Sequence, residues 1–409
     1  MKELVILGGG TGGSLTANKM VRMLPDGWRV TVVDRDDQHV YQPGLLFVPF
    51  GEKRRADLVR PRRRLLDPAV RLVLAGIDRI DPEARVVALD DGQRLSWDLL
   101  VIATGAHLHP EQTTGLTGPH WRRDVHEFYS LDGAEALAAR LERWEGGRLI
   151  VNLVDMPIKC PVAPLELAFL TDAWLTKRGL RSKTELVFAT PLDGAFTKPT
   201  ASASLGGMLK SRGIEQVSSF AVESVDDTKR SVRAYDGRTL DFDLLVTVPL
   251  HAGAEQVRAS GLGDDLGFVP TDRHTLQSQA YDHVFVIGDA TDLPSSKAGA
   301  VAHFQGDVLP GNLLRRIEGR PLLPEFDGHT NCFIETGHGK AMLIDFNYDT
   351  EPLPGRFPLP GIGPFTLLEE SHVNHWGKLA FEWVYWNVLV KGEELPMESK
   401  MLMYGKRTA

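Results

Sequence analysis

Apolar positions along the chain fall into short runs separated by turns and amphipathic stretches. Leu4-Val5-Ile6-Leu7 is one such run, and it flows directly into a glycine-rich turn. A helical period follows from Ser14 to about Met23. Arg29 to Val33 then reads as a second strand, rich in β-branched residues and closed by Asp34. Strand and turn signals alternate over 68–90, and Leu99-Leu100-Val101-Ile102 reads as a further buried strand. Residues 131–145 place Ala134, Leu137, Leu141 and Trp144 on one helical face. Leu149–Val154 opens a second region of the same kind, continued by strands at Leu186–Phe188, Leu244–Val248 and Val284–Ile287. Strands alternating with helices imply parallel sheets and an α/β class. Beyond about Pro324 the pattern becomes aromatic-rich and less regular.

Composition narrows this picture. The 409 residues suffice for two or three domains. Lys and Arg total 46 against 54 Asp and Glu, a formal charge of −8, which argues against a nucleic-acid partner. Two cysteines exclude a disulfide scaffold and a Cys-rich zinc module; no metal site is expected. They leave open two inert thiols, one pair, or two separate reactive groups. The start of the chain has no basic and apolar leader, and the longest apolar stretch, Leu379–Val390, is broken by Glu382 and Asn387. A cytoplasmic protein, or one peripheral to the cell membrane, is expected.

The chemistry begins at Gly8-Gly9-Gly10-Thr11-Gly12-Gly13. Gly8, Gly10 and Gly13 match the dinucleotide fingerprint: one for the tight turn, one for approach to a pyrophosphate, one for helix–strand packing. The helix that follows offers free N–H groups to phosphate. Asp34 lies about 21 residues beyond the last glycine, where a carboxylate accepts from a ribose hydroxyl. The second region has no such loop. Its first strand runs into Asp155-Met156-Pro157-Ile158-Lys159-Cys160-Pro161-Val162-Ala163-Pro164, with three prolines and no glycine. Proline removes donors and side chains bar close approach, which argues against NAD(P)H. Cys160 stands in that loop at the start of a predicted helix, where N–H groups and Lys159 are expected to favour thiolate.

Ala103-Thr104-Gly105 and Val286-Ile287-Gly288-Asp289-Ala290 close two of the strands. Together with the first loop they resemble the FAD-dependent two-dinucleotide-fold reductases. Within that superfamily, several segments look like sulfide:quinone oxidoreductases. They are Ile158-Lys159-Cys160-Pro161 with Glu166, Cys332-Phe333 with Thr336-Gly337, Lys297–Gln305, and Gly377–Glu382. The resemblance implies two Rossmann-like dinucleotide-binding folds, the FAD fold discontinuous (residues 1–110 and 281–325). It places the second fold at 111–280 and a membrane-facing C-terminal region at 326–409. It implies Gly8, Gly10, Gly13, Asp34, Thr104, Gly105, Gly288, Asp289, Lys297 and Gly299 at FAD. It implies Cys160 and Cys332 as a redox pair with Glu166 as a proton-transfer group, and Phe333, Lys378 and Phe381 at quinone. Sulfide would be oxidised to zero-valent sulfur or polysulfide, and two electrons would pass through FAD to a membrane quinone. Many members carry a third cysteine, sometimes bonded to flavin. None is present here, so FAD is expected to bind non-covalently. Lys198 is the nearest basic group where some members place a histidine. With two cysteines the chain also resembles the flavoprotein subunit of flavocytochrome c sulfide dehydrogenase. A type II NADH:quinone dehydrogenase and a flavin-bound redox sensor stay open as competing functions.

Three of the 8 tryptophans, Trp376, Trp383 and Trp386, fall close together with Phe381 and Tyr385. Trp376, Leu379, Ala380, Trp383 and Val390 follow helical spacing, with Lys378 and Glu382 on the other side. A second apolar segment holds Met397, Met401, Leu402, Met403 and Tyr404 between Lys400 and Lys406. An amphipathic contact with a membrane surface is expected of both. A homo-oligomer is left open.

Overall fold

The computed structural model describes residues 1–226, 228–359, 363–395 and 398–407, so Met397 lies outside the described residues. The first sheet has five parallel strands in the order Val284–Val286, Leu99–Ile102, Lys2–Leu7, Trp28–Asp34, Arg71–Leu74. Lys2–Leu7 lies at its centre. Leu4 and Ile6 pack on one face, Val5 and Leu7 on the other, so the strand reads as an unbroken apolar run. The helix Thr11–Met23 leaves this strand and packs against Gly299–Ile317, with Gly306 giving Leu15 room to approach. The edge strand Val284–Val286 comes from far down the chain, which makes this fold discontinuous.

The second sheet is also parallel: Val125–His126, Leu244–Val248, Gly147–Leu153, Thr184–Ala189, Glu215–Val217. The helix Ala163–Lys177 covers the face carrying Leu149, Val151 and Leu153. A three-stranded antiparallel sheet, with Val222 and Val232, covers the face carrying Ile150. The predicted helix over 131–145 spans Leu131–Glu142; Trp144 lies just past it, still buried, donating its indole N–H to Thr184 at 3.0 Å.

The C-terminal region is more ordered than its sequence pattern implies. Thr330–Gly337 and Lys340–Phe346 form an antiparallel hairpin, turned by Gly337, His338 and Gly339, all at positive φ. The strands Gly355–Leu359 and Gly363–Leu367 extend the sheet. The tail helix, His372–Val384, lies on it and is capped by Ser371, whose hydroxyl accepts from Asn374 N–H at 3.1 Å. A π-helical turn, Tyr385–Leu389, then rotates the chain into the first fold. There Asn18 donates to Val390 O at 2.7 Å, and Tyr385, Trp386, Leu389 and Val390 bury against Leu15 and Tyr41. Strand Thr330–Gly337 also packs on helix Ala163–Lys177, which brings the two cysteine-bearing segments to one core.

Candidate functional site

The glycine loop is shaped by its own sterics. Gly8 sits at φ +99, and a Cβ there would stand 2.4 Å from Ala103 O. A Cβ on Gly13 would stand 1.8 Å from Gly8 O, so helix and strand can meet only with glycine. At Gly10 a Cβ would meet nothing within 4 Å, so this backbone faces open space where a phosphate can approach. Asp34 accepts from Gly9 N–H at 2.7 Å and pairs with Arg62 at 3.0 Å. Arg62 is buried and also donates to Gly9 O at 2.9 Å. His39 reaches Gly9 O at 3.1 Å and the Tyr385 hydroxyl at 2.7 Å, and that hydroxyl bonds Thr11 at 2.8 Å. Sequence reasoning missed Arg62 and His39 and read Tyr385 only as part of the aromatic tail. The dense arginine run at 60–64 was the one signal available.

The other two turns close around the same space. Thr104 carries a buried hydroxyl with no partner, and Gly105 sits at φ +71. Gly288, at φ +72, donates to Gln305 at 2.6 Å, while the Gln305 amide nitrogen is buried without a partner. Burial raises the Asp289 carboxyl against the opposing pull of Lys297 and Lys159. Lys297 donates to Asp289 O at 2.9 Å and Thr291 O at 2.6 Å, bracing this turn, and burial lowers it to about 8. Gly299 opens the following helix with free space beside it. An open Gly10 backbone and two orphaned buried polar groups fit a dinucleotide with further polar functions, as FAD has.

The loop of the second fold is tethered differently. Cys160 adopts φ +45, its N–H donates to Lys297 O at 2.6 Å, and its carbonyl accepts from Tyr129 Oη at 3.2 Å. Cys332 lies on strand Thr330–Gly337, and both thiols are free, half-buried, and packed on the same core. The expectation of a low-pKa Cys160 is corrected here. Burial pushes its thiol up, and Glu166 and Cys332 add to this; Lys378 and the Ala163 N–H oppose it without prevailing. Cys332 is pushed up to about 12 by burial and Glu166, with Lys378 again opposing. Burial also holds the Lys159 pKa down, against the opposing pull of Asp289, Glu127 and Cys160. The Ala163–Lys177 helix contributes the Ala163 N–H, which is outweighed by burial and by the Glu166 carboxylate in its first turn.

Glu166, 2% exposed, accepts from Glu335 N–H at 2.7 Å and forms a short ion pair with Lys378. Lys378 also donates to Phe333 O at 3.1 Å. Burial alone would lower this lysine, but Glu166 and Glu335 outweigh it and hold the ammonium above its ordinary range. Glu335 meets His375 at 3.0 Å and is itself raised by burial. The structure thus joins Cys160, Cys332 and Lys378 in one cluster around the buried Glu166 and adds Glu335 and His375, which sequence reasoning missed. Phe333 and Phe381 have different neighbours: Phe333 packs edge-on against Phe365 at 5.1 Å, and Phe381 faces Tyr385 at 6.5 Å. Gly377 lets the Phe333–Phe365 pair touch the tail helix, since a Cβ there would lie 2.4 Å from Phe365. Lys198 pairs with Glu351 at 3.4 Å.

On the tail helix Val373, Trp376, Leu379 and Trp383 form an exposed stripe, with both tryptophans about two-thirds exposed (64% and 65%). Val390 does not belong to it: the π turn carries it into the core. Lys406 is also corrected. It is buried in an ion pair with Asp345 at 2.5 Å, which ties the chain end to the hairpin, while Leu402, Met403 and Tyr404 stay exposed. No helix of the described residues is long and apolar enough to cross a membrane. Among the described residues no cluster could hold a metal ion.

With this geometry in hand, comparisons with known proteins are informative. The family described as "Pyridine nucleotide-disulphide oxidoreductase" matches residues 2–151. A mitochondrial sulfide:quinone oxidoreductase of Dictyostelium discoideum is 30% identical over 398 residues, covering 95% of this chain and 86% of its own length. The mitochondrial sulfide:quinone oxidoreductase of Mus musculus is 26% identical with the same coverages, 95% and 86%. The solved sulfide:quinone oxidoreductase of Aquifex aeolicus superimposes with a TM-score of 0.78 at 20% identity, over 96% of this chain and 92% of that one.

Proposed function

The chain belongs to the sulfide:quinone oxidoreductase family, and from that membership we propose that it oxidises sulfide at Cys160 and Cys332 and delivers the electrons to a membrane quinone. It is an FAD-dependent oxidoreductase. The observation that carries the site assignment is the shared cluster of both half-buried thiols with the Glu166–Lys378 ion pair. In our reading Gly8, Gly10, Gly13 and Asp34 hold the pyrophosphate and ribose side of FAD, and Thr104, Gly105, Gly288, Asp289, Lys297 and Gly299 line the remainder. Bound non-covalently, since the chain has only 2 cysteines, FAD supplies a two-electron acceptor between sulfur and quinone.

Hydrosulfide attacks an oxidised Cys160–Cys332 bridge. One S–S bond breaks and one forms, leaving a persulfide on one cysteine and a thiolate on the other. Closing the bridge around the added sulfur releases one proton and two electrons. Repetition lengthens the chain to polysulfide. The thiolate arises where both sulfurs resist negative charge, and Lys378 is the cation that lowers both of them. Lys378 therefore offsets the developing charge, and Glu166 holds it there and is the proton-transfer candidate. Phe333, whose carbonyl accepts from Lys378, and Phe381, on the same helix as Lys378, are assigned to the quinone. The exposed stripe of the tail helix, with Leu402, Met403 and Tyr404, is assigned to a membrane surface, where a lipid-dissolved quinone is found.

Anaerobic titration with sulfide, followed by a short-chain quinone, tests the reading. Sulfide should bleach the flavin and quinone should restore it. An unchanged flavin spectrum after sulfide overturns the proposal; reoxidation by cytochrome c but not by quinone would favour a flavocytochrome-type subunit.

A further inference from the structure

The segment Val59–Arg64 carries four arginines, and they divide into two pairs. Arg62 turns inward to Asp34 and Gly9, and Arg63 pairs with Asp37 at 2.5 Å. Arg60 and Arg64 have no carboxylate partner among the described residues. Both line a cavity of about 420 Å³ with Lys391, Trp386 and Asn387. Among the described residues no acidic side chain lines it, although the chain as a whole carries a formal charge of −8. The Arg60 guanidinium lies over the Trp386 ring, 4.3 Å from its centroid, and Lys391 is fixed at the wall by donating to Arg64 O at 2.6 Å. Lys391 is held below its ordinary range by burial and then by the repelling Arg60 and Arg22, with Asp67 opposing. Three like charges held around one hollow, two of them preorganised by stacking or hydrogen bonding, are complementary to a multivalent anion.

The cavity's position narrows its occupant. Asn387 on its rim donates to Trp383 O at 2.8 Å, and Trp383 ends the exposed aromatic stripe of the tail helix. An anion held here would sit one helical turn beyond apolar side chains. With that stripe at a membrane surface, as proposed above, such an anion would be a lipid headgroup.

We propose that this cavity binds a phosphate group, presented by an anionic phospholipid, through Arg60, Arg64 and Lys391. The test uses the full FAD-loaded chain in flotation with phosphatidylcholine vesicles and with the same vesicles containing phosphatidylglycerol. R60A/R64A should lose about tenfold or more of its partitioning onto the anionic vesicles and be unchanged on the neutral ones. R60K/R64K should retain most of it. R79A/R94A, which removes equal charge from exposed strand positions elsewhere, should change it less than about twofold. Unaltered flavin absorbance and near-ultraviolet circular dichroism establish that the variants are folded. Inorganic phosphate, monitored by its 31P line width, forms the second arm. If R60A/R64A abolishes phosphate broadening yet leaves vesicle binding intact, the phosphate site stands and the lipid as its source is rejected. If R60A/R64A and R79A/R94A behave alike in both arms, the proposal is overturned.

Discussion

Two strand–loop–helix units, each opening from a strand of a parallel sheet, carry opposite chemistry. In the first, Gly8–Gly13 clears space: Gly10 faces open volume, and Gly8 and Gly13 exist because any Cβ would strike backbone. In the second, Val154–Val162 fills the equivalent turn with prolines and presents Cys160, tied to Lys297 O and Tyr129. The first loop leaves room for a ligand by what it omits; in the function proposed above, the second offers a reactive side chain instead. The difference also explains why a second dinucleotide is not expected. Pro157, Pro161 and Pro164 withdraw donors that a pyrophosphate needs.

The comparison can be broken first at the two residues that define it. Cys160→Ala should abolish sulfide-dependent bleaching of the flavin, by about a thousandfold or more in rate, while the flavin stays bound. Anaerobic stopped-flow absorbance measures both. Gly13→Val should do the reverse. Its branched side chain would meet Gly8 O, for which even a Cβ is 1.8 Å away, so FAD content after purification should fall to near zero. A Gly13→Val protein with full flavin would refute the steric account of the first loop.

These two sites were readable in the sequence because their signals are local. Gly8, Gly10, Gly13 and Asp34 fall within one unit, and the observed strands begin and end within one or two residues of the apolar runs. The rest of the site depends on contacts between distant positions. Glu166 and Lys378 are 212 residues apart, and nothing in the spacing of either announces the pair. Residues 330–346 alternate poorly, because Glu335 and Asp345 are buried polar residues satisfied by His375, His329 and Lys406. Periodicity therefore read the hairpin as irregular. The thiol pKa was misjudged for a related reason: the local helix start was visible, and the burial and carboxylate that outweigh it were not.

The cluster itself supplies the next test. Lys378→Met leaves Glu166 buried without its counter-charge, which should cost about 3–5 kcal/mol of stability. It also removes the cation that lowers both thiols, so sulfide oxidation should slow about tenfold or more and its pH dependence should move upward. Lys378→Arg should recover most of the stability, as read by thermal denaturation. Against the first loop, His39 is held down at about 4 by burial and by Arg62. Its folded pKa lies below the ordinary value of 6.5, so its contribution is complete above 6.5 and is lost as pH falls toward 4. The loss should reach about 3 kcal/mol, seen as acid-induced flavin release. His39→Gln should flatten that step, and an unchanged profile would remove His39 from the account.

The smallest effect separates the two loops most cleanly. Cys160 holds φ +45 without being glycine, a conformation that costs an L-residue roughly 1–2 kcal/mol. Cys160→Ala and Cys160→Gly both remove the thiol, and both should be inactive toward sulfide. They differ in strain. Alanine keeps the left-handed penalty; glycine relieves it but gives back about 0.4–1 kcal/mol through a freer unfolded chain. The glycine variant should therefore be the more stable of the two, by about 0.5–1 kcal/mol in chemical denaturation. At an ordinary φ the order would reverse. A Cys160→Gly protein less stable than Cys160→Ala would mean that the loop does not hold its cysteine in the left-handed region. The tethers to Lys297 O and Tyr129 would then not be what presents the thiol.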